Sequence, residues 1–83
     1  MVPIYRKQYE DGELLLGWPT WDPTGKMYGE MSVKYSYPRS DGRPSRGSPE
    51  IPIRIAVDMV LFAAEHGQLT HDQSDQLRTI FSS

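Results

Sequence analysis

A chain of 83 residues with nine basic and eleven acidic side chains, net charge −2 and no Cys builds one small core, without disulfides or thiolate metal sites. A pI near 5.5 weighs against a nucleic-acid binder, whose footprint is usually basic. No apolar run approaches the ~20 residues needed to cross a membrane, and the first 13 residues hold no apolar signal core, so a cytoplasmic protein is expected.

Residues 3–9 alternate, with Ile4, Arg6 and Gln8 on one side and Tyr5, Lys7 and Tyr9 on the other. This is the period of a strand. Glu10-Asp11-Gly12 predicts a turn, with the Asp-Gly pair supplying positive φ. Leu14, Leu15 and Leu16 face both sides of a sheet in succession, which predicts a short central strand. Residues 17–26 (GWPTWDPTGK) carry two Pro and form an irregular bend holding Trp18 and Trp21. Residues 27–37 alternate again. Met31, Val33, Tyr35 and Tyr37 share one face, while Tyr28, Glu30, Ser32, Lys34 and Ser36 share the other. That pattern predicts a third strand with one face on a core and one in water.

Residues 38–50 are rich in Pro, Gly, Ser and Arg and predict a long flexible loop. Residues 51–67 (IPIRIAVDMVLFAAEHG) are the one long apolar run with helical period. Pro52 suits the helix start and Gly67 an αL stop. At about 100° per residue, Ile53, Ala56, Val57, Val60 and Ala64 cluster, and Ile55 and Phe62 fall nearly opposite Ile53. The polar residues Arg54, Asp58 and Glu65 share one thin stripe, so the apolar arc spans roughly 260°, against the ~100° of an ordinary surface helix. Such a helix requires cover on two sides. Thr70 and Gln73 then form a capping box that opens a second helix, whose narrow apolar stripe is Leu77, Ile80 and Phe81.

The predicted fold is α+β in one small domain. A three-stranded antiparallel sheet occupies residues 1–37, the loop 38–50, and a C-terminal helical hairpin 51–83. The first helix is expected to lie on Met31, Val33 and Tyr35, and the second to cover its other flank. Any shortfall in that cover leaves an apolar patch at the edge marked by Ile55 and Phe62, which calls for a homodimer or a partner.

Two clusters carry candidate binding chemistry. Arg39, Arg43 and Arg46 sit among Pro, Gly and Ser, where guanidinium forks grip phosphates or carboxylates. Trp18, Trp21 and Tyr28 surround the Pro-rich bend, and Trp and Tyr are favoured interface anchors. His66 and His71 straddle a helix stop, not the i, i+4 spacing of a metal pair, so no metal or cofactor is expected. Asp72 and Asp75 open the second helix, where a DNA-reading helix would meet phosphate, which argues against a helix-turn-helix. No catalytic set is apparent.

The expectation is a non-catalytic protein-interaction module that binds another protein or itself. By analogy with short acidic accessory proteins of phages and mobile elements, an inhibitor role fits this class. The alternative, from a different class, is a single-stranded nucleic-acid binder using Tyr28 or Tyr37, Lys34 and the Arg-rich loop.

Overall fold

Four strands and two helices follow one another in the computed structural model, which describes residues 1–37 and 48–82. The strands are β1 (Val2–Tyr9), β2 (Gly12–Trp18), β3 (Ser32–Ser36) and β4 (Ile51–Pro52). The helices are α1 (Ile53–Glu65) and α2 (His71–Ser82). The fold is α+β: an antiparallel sheet in the order β1-β2-β3-β4, followed by two helices. The expected central position of the Leu14–Leu16 segment holds, because β2 pairs with β1 on one side and β3 on the other.

The sheet has a fourth strand that helical periodicity concealed. Ile51 pairs with Val33, and Pro52 with Ser32. Pro52 lacks an N–H, which a strand tolerates at a sheet edge. β3 is shorter than the alternation of residues 27–37 predicts. The Asp22 carboxylate explains why. It accepts the N–H groups of Met27 at 3.1 Å, Tyr28 at 2.9 Å and Gly29 at 3.2 Å, donors a strand ladder would need. In the β1–β2 turn the positive φ falls on Glu10 (52°), not on Gly12.

The stop of α1 and the start of α2 form as their sequences dictate. Gly67 takes a φ of 68°. The Gln68 N–H donates to the Ala63 carbonyl at 3.0 Å and the Gly67 N–H to Ala64 at 3.0 Å, a Schellman stop. At the start of α2 the Thr70 N–H donates to Gln73 Oε1 at 2.9 Å, and the Gln73 N–H donates to Thr70 Oγ1 at 3.1 Å. This is the capping box.

The packing differs from expectation. α1 does not lie along Met31, Val33 and Tyr35. It touches the sheet through its first turn, where the Ile53 N–H donates to the Met31 carbonyl at 3.1 Å. Glu30 fixes the same turn, accepting from the Arg54 N–H at 3.4 Å and pairing with Arg54 Nε at 3.4 Å. A carboxylate suits this position, where the helix dipole is positive. Ile53 and Ala56 are half-buried, but Val57, Met59, Val60, Leu61 and Phe62 are exposed. Nor does α2 seal the other flank: Phe81 is 82% exposed. Among the described residues no hydrophobic side chain is fully buried. The radius of gyration is 14.4 Å, against about 12 Å for a compact chain of this length.

Candidate functional site

The register of the sheet sorts its side chains into two unlike faces. Tyr5, Leu16, Val33 and Ile51 stand opposite one another across all four strands. Lys7, Leu14 and Tyr35 form the next rung on the same face. The opposite face carries Arg6, Leu15 and Lys34 on one rung and Gln8, Glu13 and Ser36 on another. There Arg6 pairs with Glu13 at 3.5 Å. One face is thus apolar and the other mainly polar, as period-2 alternation requires.

Among the described residues, nothing covers the apolar face. Its two rungs line an open groove of about 420 Å³, and no residue of either helix contributes to the lining. An aromatic row extends the face past the groove. The Tyr9 and Tyr35 rings meet edge to face at 6.0 Å, and Tyr35 and Tyr37 lie 5.9 Å apart. Partial burial pushes the Tyr35 phenol above its ordinary pKa, and the nearby Glu10 and Asp11 carboxylates push the same way. Tyr35 therefore stays a neutral hydrogen-bonding group across the physiological range.

α1 also presents apolar side chains to solvent. Ile55, Met59 and Phe62 fall on one stripe of α1, and Phe62 is 64% exposed with its ring against His66 at 5.0 Å. Asp58 and Glu65 flank that stripe. Between the helices lies a gap of about 250 Å³, lined by Val60, Leu69, Gln73, Gln76, Leu77 and Ile80.

The third feature is the Pro-rich bend, which Asp22 ties together. Asp22 is 3% exposed and ties residues 27–29 to itself, while its own N–H donates to the Pro19 carbonyl at 3.0 Å. The Tyr28 N–H leads in holding the Asp22 carboxyl below its ordinary pKa, with Met27, Gly29 and Gly25 adding to it against the opposing effect of burial. Trp18 is half-buried and its ring lies over Gly25. Trp21 (48% exposed) and Tyr28 (70% exposed) point outward. With Glu30, Pro52 and Arg54 they line an open cleft of about 610 Å³.

The candidate residues therefore separate. Trp21 and Tyr28 share a cleft, Trp18 belongs to the loop's own packing, and Tyr37 joins the aromatic row. Ile55 and Phe62 share the exposed stripe of α1. Arg39, Arg43 and Arg46, with most of the 38–50 loop, lie outside the described residues. Lys34 falls on the opposite sheet face from Tyr35. What periodicity did not reveal was the groove of Tyr5, Leu14, Leu16, Val33, Tyr35 and Ile51. Its apolar signal is present in the alternation, which does not say whether α1 covers it.

At the sheet's other end the Met1 ammonium pairs with Glu50 at 2.8 Å, and Thr20 donates to the same carboxylate through its N–H and hydroxyl at 3.2 and 2.9 Å. Burial raises the Glu50 pKa, but the ammonium and Thr20 outweigh it and the net direction is downward. Among the described residues no group of three His, Cys, Asp or Glu could hold a metal ion, and no helix is long and apolar enough to cross a membrane. Comparison with protein-family models, curated proteins and solved structures finds no match to this chain.

Proposed function

We propose that this chain is a non-catalytic interaction module whose core is completed by another polypeptide. The uncovered apolar face of the sheet carries this reading. Tyr5, Leu14, Leu16, Val33, Tyr35 and Ile51 form a groove that nothing among the described residues fills. Monomeric proteins rarely leave a contiguous apolar face of this kind open to water unless something binds there. The described α1 surface repeats the argument, since Val57, Met59, Leu61 and Phe62 are each at least half exposed. Burial of apolar surface is the dominant favourable term in folding and in most association. A chain this short has little stability to spare without it. The partner thus supplies both binding energy and part of the fold.

Site-specific photo-crosslinking in the native host tests this. A photoreactive residue at position 14 in the groove or 62 on α1 should give one defined polypeptide adduct each. The same residue at position 8, on the polar face, should give none. Equal labelling from both faces, or adducts only with nucleic acid, would overturn the reading.

A further inference from the structure

We infer that the groove is filled by α1 of a second copy of this chain, in a reciprocal twofold dimer. Each copy would place the Ile55–Met59–Phe62 stripe of its helix on the Tyr5–Leu16–Val33–Ile51 and Leu14–Tyr35 rungs of the other. The inference rests on the interaction-module reading and names its partner.

Connectivity is the first argument. Pro52 ends β4 and Ile53 begins α1, so no residue lies between strand and helix. The helix starts at the sheet margin, fixed there by the Ile53–Met31 hydrogen bond and the Arg54–Glu30 pair. To fold back over its own groove it would have to give up the Ser32–Pro52 and Val33–Ile51 pairing. A second copy meets no such restraint. A hinge too short to reverse within one chain is a known route to exchange between identical chains.

Size agrees. Thirteen helical residues span about 20 Å, and four strands at ~4.8 Å spacing make a sheet of similar width. Of the groove and stripe residues, Tyr5, Leu14, Ile55, Met59 and Phe62 are 38% to 64% exposed. At roughly 200 Å² for a large apolar side chain, these expose on the order of 500 Å² per chain. A twofold pair would then bury about 1,000 Å² in all, which reaches the lower bound of a specific interface.

Charge agrees as well. Residues 1–47 carry seven basic and six acidic side chains, whereas residues 48–83 carry two basic and five acidic. Reciprocal exchange sets the acidic half of each copy against the basic half of the other. Asp58 and Glu65 border the helix stripe, Lys7 borders the groove, and none of the three takes part in an ion pair among the described residues. The two ends of a twofold interface are identical, so this complementarity is satisfied twice.

Sedimentation of the purified chain over a wide concentration range, combined with mixing of two variants, tests the arrangement. Tyr5→Glu spoils the groove and Phe62→Glu spoils the helix stripe. Both positions are more than half exposed, so each substitution leaves the single chain's own contacts largely intact. The wild-type chain should be dimeric. Each variant alone should self-associate at least about tenfold more weakly, because both of its interfaces are damaged. An equimolar mixture should regain association, because one interface then pairs an intact helix with an intact groove. A wild-type dimer whose variants fail to complement each other overturns the reciprocal geometry. A wild-type chain that stays monomeric, binds apolar dyes and melts without cooperativity overturns self-pairing and leaves the module waiting for a foreign partner. A monomer that melts cooperatively and binds no dye overturns both.

Discussion

Replacing Gly25 with Ala adds one methyl group at the place where the Pro-rich bend is tightest. Two costs follow. The residue sits at a φ of 71°, where an L side chain clashes with its own backbone, at about 1 kcal/mol or more. The new Cβ would also lie 2.7 Å from the Trp18 ring. Relieving that contact requires the ring to move by several tenths of an ångström, and overpacking of this kind costs about 1–3 kcal/mol. The sum is about 3 kcal/mol, which for a domain of this size lowers Tm by roughly 12–24 °C. Gly67→Ala is the internal control. Its φ is 68°, but nothing lies within 4 Å of the new Cβ, so only the backbone cost of about 1 kcal/mol applies. Thermal melting of both variants at one protein concentration, followed by circular dichroism and Trp emission, separates the two costs. Adding Trp18→Leu to Gly25→Ala should recover the packing part but not the backbone part. If Gly25→Ala costs no more than Gly67→Ala, the Trp18 ring does not cover Gly25 and the account of the bend is wrong.

Phe62→Ala should cost about 1 kcal/mol in dilute chain, since nearly two-thirds of the residue is already in water. In the associated state the cost should rise toward the 3–5 kcal/mol of a buried ring, and equal losses at low and high concentration in urea unfolding would refute the difference. Thr70→Ala removes one acceptor of the capping box and should destabilise by about 1 kcal/mol; faster amide exchange in the first turn of α2 is the readout, and unchanged exchange would count against the cap. Asp22 and Glu50 both have folded-state pKa values below their ordinary values of 3.8 and 4.5. Their stabilisation is therefore complete above the unfolded values and is lost as pH falls through the folded ones. Stability should drop on acidification below about pH 4 and the drop should shrink in Asp22→Asn; an acid limb identical in wild type and variant would remove Asp22 from this role.

What could be read from the sequence was local. The capping box at Thr70 and Gln73, the stop at Gly67 and the two-faced sheet depend on neighbours a few residues apart or on strict alternation. Two failures came from contacts that cross the chain. The run 27–31 alternates like a strand, but Asp22 takes its amide donors first. Ile51 and Pro52 share the helical period of the residues after them, yet Val33 and Ser32 recruit them into the sheet. The largest failure concerns α1. An apolar arc of about 260° demands cover, but periodicity does not say which chain provides it. The absence of any linker after Pro52 decides against the helix's own sheet, and that follows only once β4 is recognised.

The sheet's margins limit how such an apolar chain can assemble. Exposed strand edges template further strands and lead to fibres. Here one outer strand carries Pro3 and a register break before Tyr5, and the other is two residues long and contains Pro52. The register break shortens the regular outer edge of β1 to Tyr5–Tyr9, and the β4 edge is two residues long and lacks the Pro52 N–H. Edge-to-edge strand addition is therefore disfavoured at both sides, and α1 and the sheet face, not long free edges, carry much of the exposed apolar surface.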